Sequence, residues 1–311
     1  MIEIFLKTLP FFAIIGLGYM AGRVRFFTEE ATAYLTKFVF YFALPAMLFR
    51  FSASLSFDEI LEWPIVYAFL AGSALVWGIG AIVARLRGQG LSSLAVEAQC
   101  CAVGNVGFLG IPMLALLFGE ASLGPNMMVL IVDSVLFGSL IVILINAGQD
   151  GNLSPRVFKT IGLGLITNPM IMAIVLGVVW SLLRLPIPVP ATEFLKLLGS
   201  AATPVALFAI GASLASKSAE RMHIAGWISF CKLVLHPLAV AGFALWVFDV
   251  DPFSAAVIIS AAALPVAGNI FIQAQHYGVA PQRVSASILI STAFSILTVS
   301  LVIGWVAPLV N

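Results

Sequence analysis

The sequence predicts an all-α polytopic membrane protein of about ten transmembrane helices, built as two inverted five-helix repeats. Three observations predict this. Apolar runs of spanning length recur along all 311 residues. Lysine and arginine gather in alternate linkers. A set of prolines, glycines and aliphatic residues recurs at one fixed offset, 159.

Composition sets the class. Hydrophobic residues make up 61% of the chain and charged residues 9%, and the mean hydropathy is +1.11. A soluble domain of this length needs a polar surface that this composition does not supply. The net charge is +1, so nothing points to nucleic acid. Cys100, Cys101 and Cys231 lie in or beside apolar segments and read as small buried residues, not as a disulfide framework or metal site. The first apolar run follows Glu3 and Lys7 without a basic leader or small-residue cleavage site, so it reads as the first span.

The spans are expected at about 4–22, 33–55, 64–84, 96–118, 125–147, 160–183, 193–215, 224–247, 253–277 and 285–308. Polar linkers separate them at Arg23–Glu30, Phe57–Glu62, Arg85–Gly90, Gly148–Arg156, Lys217–Arg221, Asp249–Pro252 and Val279–Arg283. None is long enough for a soluble domain. Linkers after the odd spans carry Arg23, Arg25, Arg85, Arg87, Arg156, Lys159, Lys217, Arg221 and Arg283. The other side carries Lys7, Arg184 and Lys196 with Asp58, Glu59, Glu62, Glu120, Asp249 and Asp251. The more basic side is expected in the cytoplasm, which puts both termini outside it.

At the offset of 159, Pro10 falls on Pro169, Gly18 on Gly177, Pro45 on Pro204, Phe49 on Phe208, Ser54 on Ser213 and Leu55 on Leu214. One offset serves spans 1, 2, 6 and 7 without a gap. Residues 1–150 and 151–311 then form two halves of five spans each. An odd number of spans inverts the second half in the bilayer.

Span 4 carries Gly104, Asn105, Gly107, Gly110 and Pro112; span 9 carries Pro265, Gly268 and Asn269. Proline and glycine break helices, and in hydrocarbon the freed backbone groups must face protein or a cavity. Breaks in corresponding spans point to a transporter's binding site. Each broken end offers unpaired N–H groups and a partial positive charge to an anion. Asn105 and Asn269 add amide donors, and Gln273 extends from the span 9 break. The plainer alternative is close packing and kinking. Pro45 and Pro204 form a second matched pair, suited to a pocket, to gating or to a simple kink.

Ionisable residues inside spans are candidates by default. Asp133 stands within span 5, and its offset partner is Thr292. Glu97 opens span 4, where solvation at the interface is the alternative. His236 shares a face with Lys232 one turn away. Lys232 is expected to snorkel to the cytoplasmic surface, and His236 to be either functional or a packed, hydrogen-bonded core residue. Asp133, Glu97 and His236 are the candidates for proton or ion coupling. No histidine–cysteine–carboxylate set has metal spacing, and no phosphate loop or nucleophile elbow is present. No cofactor is implied.

The runs LPFFAIIGLGYMAGR, LTKFVFYFALPAMLF, GNVGFLGIP, TNPMIMAIVLG and TPVALFAIGASLA occur in this order. Together they resemble bacterial members of the auxin efflux carrier family, which includes the plant PIN-type exporters. The resemblance implies ten helices with broken helices 4 and 9 crossed. It implies a scaffold of spans 1, 2, 6 and 7 and a transport domain of spans 3–5 and 8–10. It also implies an elevator-like movement and a homodimer through the scaffold. The family's crossover asparagine and proline match Asn105 and Pro112, and Pro265 lies near the crossing. The long cytoplasmic loop of the plant members has no counterpart between Gly148 and Lys159.

The expected function is transport of a small organic anion, a mono- or dicarboxylate such as malonate or malate, across the bacterial inner membrane. Asn105, Gly107, Pro112, Pro265, Gly268, Asn269 and Gln273 are its expected substrate site, with proton or sodium as possible coupling ion. The alternatives are a cation–proton antiporter, which calls for paired acids near the crossing, and a membrane sensor without transport, which calls for an output domain on a partner.

Overall fold

The computed structural model describes residues 2–54, 62–150, 155–216 and 222–309. Expectations that rest on Leu55, Phe57, Asp58, Glu59, Lys217 and Arg221, and on the side chains of Glu3, Lys7 and Arg156, fall outside the described residues. Every named element among them is a helix. In chain order these are α1 (Ile2–Arg23), α2 (Glu29–Ser54) and α3 (Trp63–Leu86). Then come α4 (Leu91–Ala102), α5 (Val106–Phe118) and α6 (Glu120–Gln149). Next are α7 (Pro155–Ile166), α8 (Pro169–Leu182), α9 (Val189–Leu214) and α10 (Met222–Trp246). The last are α11 (Pro252–Ala262), α12 (Gly268–His276) and α13 (Pro281–Leu309).

Six helices (α2, α3, α6, α9, α10 and α13) are long and apolar enough to cross a bilayer. The pair α7 and α8, bent by 62°, makes a seventh if counted as one span. The bend has a local cause. Asn168 accepts from Met170 N at 3.0 Å and Ile171 N at 3.3 Å, capping a new helix that opens with Pro169. Its offset partner Pro10 follows Leu9, which has no capping side chain, and α1 runs on through it. Asp251 caps α11 in the same way through Phe253 N and Ser254 N.

Prolines also account for most departures from α geometry. The π segments Val39–Ala43, Val106–Gly110 and Cys231–Leu235 each end two residues before a proline: Pro45, Pro112 and Pro237. A proline ring clashes with the carbonyl four residues back, and widening the preceding turn relieves that contact. The fourth π segment, Val132–Phe137, contains Asp133 and is followed by Gly138, not by a proline. Isolated π turns of this kind concentrate at functional sites.

The most extensive interhelical packing is α1 on α9 and α2 on α8. Glycines permit it. A Cβ at Gly18 would lie 2.1 Å from Phe208 O and 3.0 Å from Ala212 N; one at Gly177 would lie 2.9 Å from Phe49 O and 3.1 Å from Ala53 N. These two sets of contacts are related residue by residue through the offset of 159. The same offset relates Arg25 to Arg184, both left-handed at φ 59° and 51°, and Gly119 to Gly278, at 83° and 67°.

Polarity is reversed relative to a soluble protein. Leu17, Leu116, Leu197, Trp246 and Phe294 are exposed, while Glu97, Asn126, Asp133, Lys232 and His236 are buried. Lipid tolerates the first set, and the interior must satisfy the second.

Candidate functional site

The two interrupted segments meet. Helix α4 stops at Ala102, Val103 is extended, and α5 starts after Asn105. Helix α11 stops at Ala262, and α12 starts after Ala267, also extended. Gly104 and Val266 form an antiparallel bridge. Asn105 N donates to Pro265 O at 2.9 Å, and Ala267 N donates to Val103 O at 3.3 Å. Each break therefore supplies the backbone partners that the other lacks, which a broken helix in hydrocarbon needs. Val266 N is satisfied by Ser291 Oγ of α13 at 3.1 Å.

The bridge sets the register of the two halves here. With Gly104 opposite Val266, the residue standing in the place of Asn105 is Ala267. Asn269 lies two residues further on, in the first turn of α12, and is exposed, as is Gly268. Gln273 follows one turn later and is half-buried. Asn105, Gly107, Pro112 and Pro265 are buried at the crossing. A Cβ on Gly107 would come within 3.1 Å of Met170 Cε of α8, and Phe108 stacks on Phe40 of α2 with ring centroids 6.1 Å apart. The start of α5 thus faces the α1, α2, α8 and α9 group. Helices α5 and α12 both present their N-terminal ends at the crossing, the positive ends of their dipoles.

The expected exposure of Lys232 is corrected by the structure. Its side chain does not snorkel; it is fully buried. Lys232 Nζ donates to Ala262 O, the last carbonyl of α11, at 2.5 Å and lies 3.0 Å from His236 Nδ1. A helix C-terminus inside the protein leaves carbonyls without N–H partners, and an ammonium satisfies one while complementing the dipole. His236 is the packed, hydrogen-bonded residue, with Nε2 2.8 Å from Ser73 Oγ and its ring edge-on to Phe69. The sequence alone puts Lys232 at the surface; the structure puts it against Gly104 at the crossing. The available signal was its place one turn before His236 on an apolar helix.

Asp133 and Glu97 have opposite surroundings. Asp133 is buried in its π segment, and neither carboxylate oxygen has a partner at hydrogen-bonding geometry. Leu130, one turn before Asp133 on α6, lies 3.6 Å from a Cβ on Gly107, which sets this stretch of α6 at the crossing. Glu97 is buried and fully engaged. Its Oε2 accepts from Arg87 and its Oε1 from Arg283 Nη1 at 2.5 Å, and Arg283 also holds Gln89 Oε1 at 2.7 Å. This cluster ties the α3–α4 turn to the start of α13. Elsewhere, a cleft of about 480 Å³ is lined by Glu62, Asp251, Pro125 and Ser254 among others. Partial burial, and then Asp251 nearby, raise the Glu62 carboxyl above its usual range.

Residues 3–303 match the family described as membrane transport protein. A "Putative malonate transporter" of Rhizobium meliloti strain 1021 is 30% identical over 303 residues, covering 96% of this chain and 95% of that one. The uncharacterised transporter YfdV of Escherichia coli K12 is 27% identical over 304 residues, 94% of each chain. Auxin efflux carrier component 8 of Arabidopsis thaliana is 21% identical over 343 residues, 91% of each. The matches run through both breaks and nearly end to end, and on that ground the chain belongs to the auxin efflux carrier family of membrane transport proteins.

Proposed function

We propose that this protein is a secondary transporter of a small organic anion, a mono- or dicarboxylate such as malonate, working by elevator-like alternating access. The observation that carries the reading is the crossing of α4–α5 with α11–α12. Two helix N-termini meet inside a membrane-spanning body, with the Asn105 amide between them and the Lys232 ammonium against Gly104. Helix ends of this kind favour a carboxylate through free N–H groups and partial positive charge. The name of the Rhizobium meliloti relative supports a carboxylate substrate.

The architecture we infer is ten spans in two inverted halves, 1–150 and 151–311. Residue-by-residue agreement of the α1–α9 and α8–α2 contacts at one offset supports it. Helices α1, α2 and α7–α9 form the scaffold, and α3–α6 and α10–α13 form the moving domain. The Gly107–Met170 and Phe40–Phe108 contacts lie on the face between them. A homodimer through the scaffold and both termini outside the cytoplasm complete the reading, in a bacterial inner membrane. Asn105, Gly107, Pro112 and Pro265 line the substrate position, with Gly268, Asn269 and Gln273 on the opening side of α12.

Charge movement recorded from the purified protein in liposomes on a solid-supported membrane tests this. Malonate, other small mono- and dicarboxylates and indole-3-acetate are supplied at several pH values, with and without sodium. One or more carboxylates should give a saturable signal or, if the cycle is electroneutral, saturable uptake of labelled substrate. Asn105→Ala should abolish it while leaving the size-exclusion profile intact. Responses to sodium or pH alone, with no carboxylate effect in either assay, would replace the anion carrier by a cation–proton exchanger.

A further inference from the structure

The crossing holds a buried amine, that of Lys232, as well as helix ends. An ammonium has three protons to donate. Lys232 commits one to Ala262 O and one to His236 Nδ1. His236 Nδ1 lies 3.2 Å from Ala262 O as well; as the acceptor of a charged Lys232, Nδ1 leaves the imidazole neutral with its Nε2–H donating to Ser73 Oγ. The third ammonium proton is uncommitted. Lys232 Nζ would stand 3.1 Å from a Cβ on Gly104, so the charge lies against the break itself, one residue from Asn105.

Asp133 is the other half of the arrangement. It is 5% exposed and has no hydrogen-bond partner at either oxygen. A buried carboxylate in that condition depends on a counter-charge. Its stretch of α6 stands at the crossing: Leu130, one turn before Asp133, lies 3.6 Å from a Cβ on Gly107, and Lys232 Nζ lies against Gly104 of the same break. The other titratable groups around the pair are few. Helix α10 supplies His236, with both ring nitrogens engaged, and Cys231, and α4 supplies the thiols of Cys100 and Cys101. Helices α5 and α11 carry no titratable side chain. Helix α3 carries only Tyr67 and Arg85, towards its two ends, and α13 only Arg283, held by Glu97.

Building on the organic-anion reading, we propose that Lys232 is the charge that binds the substrate carboxylate, and that Asp133 is its resting counter-ion. The substrate carboxylate takes the uncommitted Lys232 proton and replaces Asp133 as counter-ion, and Asp133 takes up a proton from the water on the loading side. Counting the one carboxylate that Lys232 binds, the charge beside it is zero before and after: ammonium with aspartate first, then ammonium with that carboxylate and neutral aspartic acid; a second carboxylate of a dianion is carried as one net negative charge. Two carboxylates beside one ammonium in a low-dielectric site disfavour each other, so binding requires protonation. When the substrate leaves on the far side, Asp133 releases its proton there and pairs with Lys232 again. One proton therefore crosses with each substrate molecule in the same direction.

The test is uptake of labelled malonate into liposomes holding the full-length protein, with the membrane potential clamped at zero and a pH gradient imposed. Wild-type protein should accumulate malonate by about tenfold for each pH unit. Asp133→Asn should exchange labelled for unlabelled malonate at a reduced rate and accumulate none under the gradient. Lys232→Gln should raise the half-saturating malonate concentration at least tenfold, roughly the loss of one charge contact, and Lys232→Arg should recover part of it. The double variant Asp133→Asn/Lys232→Gln removes both buried charges together. A monodisperse size-exclusion peak for it, with no gradient-driven accumulation, would separate charge exchange from misfolding. Accumulation by Asp133→Asn under the gradient, or unchanged half-saturation in Lys232→Gln, overturns the proposal. Wild-type protein that exchanges malonate but never accumulates it overturns the coupling alone. Wild-type protein that moves no carboxylate removes the anion-carrier reading and this inference with it.

Discussion

Gly16 and Gly18 lie two residues apart on α1, and the same substitution should move stability in opposite directions at the two positions. A Cβ on Gly18 would stand 2.1 Å from Phe208 O, where ordinary contact begins at 3.4 Å. The obstructing atoms belong to the α9 backbone, so no side chain can swing aside. Helices α1 and α9 must separate by about an ångström, and a gap of that size forfeits a quarter to a half of each dispersion contact along the seam. Gly18→Ala should therefore cost about 1–3 kcal/mol. Gly16 has nothing within 4 Å of its Cβ position. Gly16→Ala should gain up to about 1 kcal/mol from helix propensity. Gly177→Ala should behave like Gly18→Ala, because Ser52 Cβ stands 2.5 Å and Phe49 O 2.9 Å from its Cβ position. Thermal unfolding of the purified variants in one detergent gives the answer: Gly18→Ala and Gly177→Ala melt below wild type, Gly16→Ala at or above it. If Gly18→Ala melts no lower than Gly16→Ala, α1 and α9 are not packed as the structure has them.

Two further outcomes follow from charged groups near the ends of the helices. Glu97→Gln leaves Arg87 and Arg283 facing each other without their shared carboxylate, and should cost about 3–5 kcal/mol, read as a fall in melting temperature larger than that of Gln89→Ala. Glu62 has its carboxyl raised in the folded protein by burial and by Asp251, so the folded state holds that proton more tightly than the unfolded chain. Its contribution is most favourable at low pH and is lost as pH rises through the window from the unfolded value up to the raised one. Glu62→Gln should match wild type below that window and melt higher above it; parallel melting curves from pH 4 to pH 7 would contradict the assignment.

Most helical segments and the interruptions near Gly104 and Pro265 were legible because proline, glycine and apolar run length act locally; the 62° bend between α7 and α8 was not, and 160–183 read as one span. Gly104 to Pro112 and Pro265 to Gly268 marked the breaks in α4–α5 and α11–α12. Asp133 stood out because a lone acid in an apolar run is costly wherever the run folds. Lys232 was harder. A lysine on an apolar helix can snorkel or turn inward, and the choice depends on whether a carbonyl partner waits inside. Ala262 O lies 30 positions away in sequence, beyond any periodicity of α10. Glu97 likewise gave no hint that Arg87 and Arg283 would enclose it. The two asparagines suggested a matched pair, but the bridge places Ala267, not Asn269, at the position equivalent to Asn105.

The sequence by itself determined that the chain is helical and enters a membrane, that it is interrupted near Gly104 and Pro265, and which family it belongs to. These properties come from the transfer of each segment into lipid and from local backbone chemistry, which add along the chain. The tertiary structure alone decided that the breaks cross at Gly104 and Val266, that Lys232 turns inward onto the end of α11, and that the Asp133 carboxylate is buried without a hydrogen-bond partner. Those outcomes depend on which unsatisfied group meets which across distant segments, and in a medium without water each group takes the partner that folding brings to it.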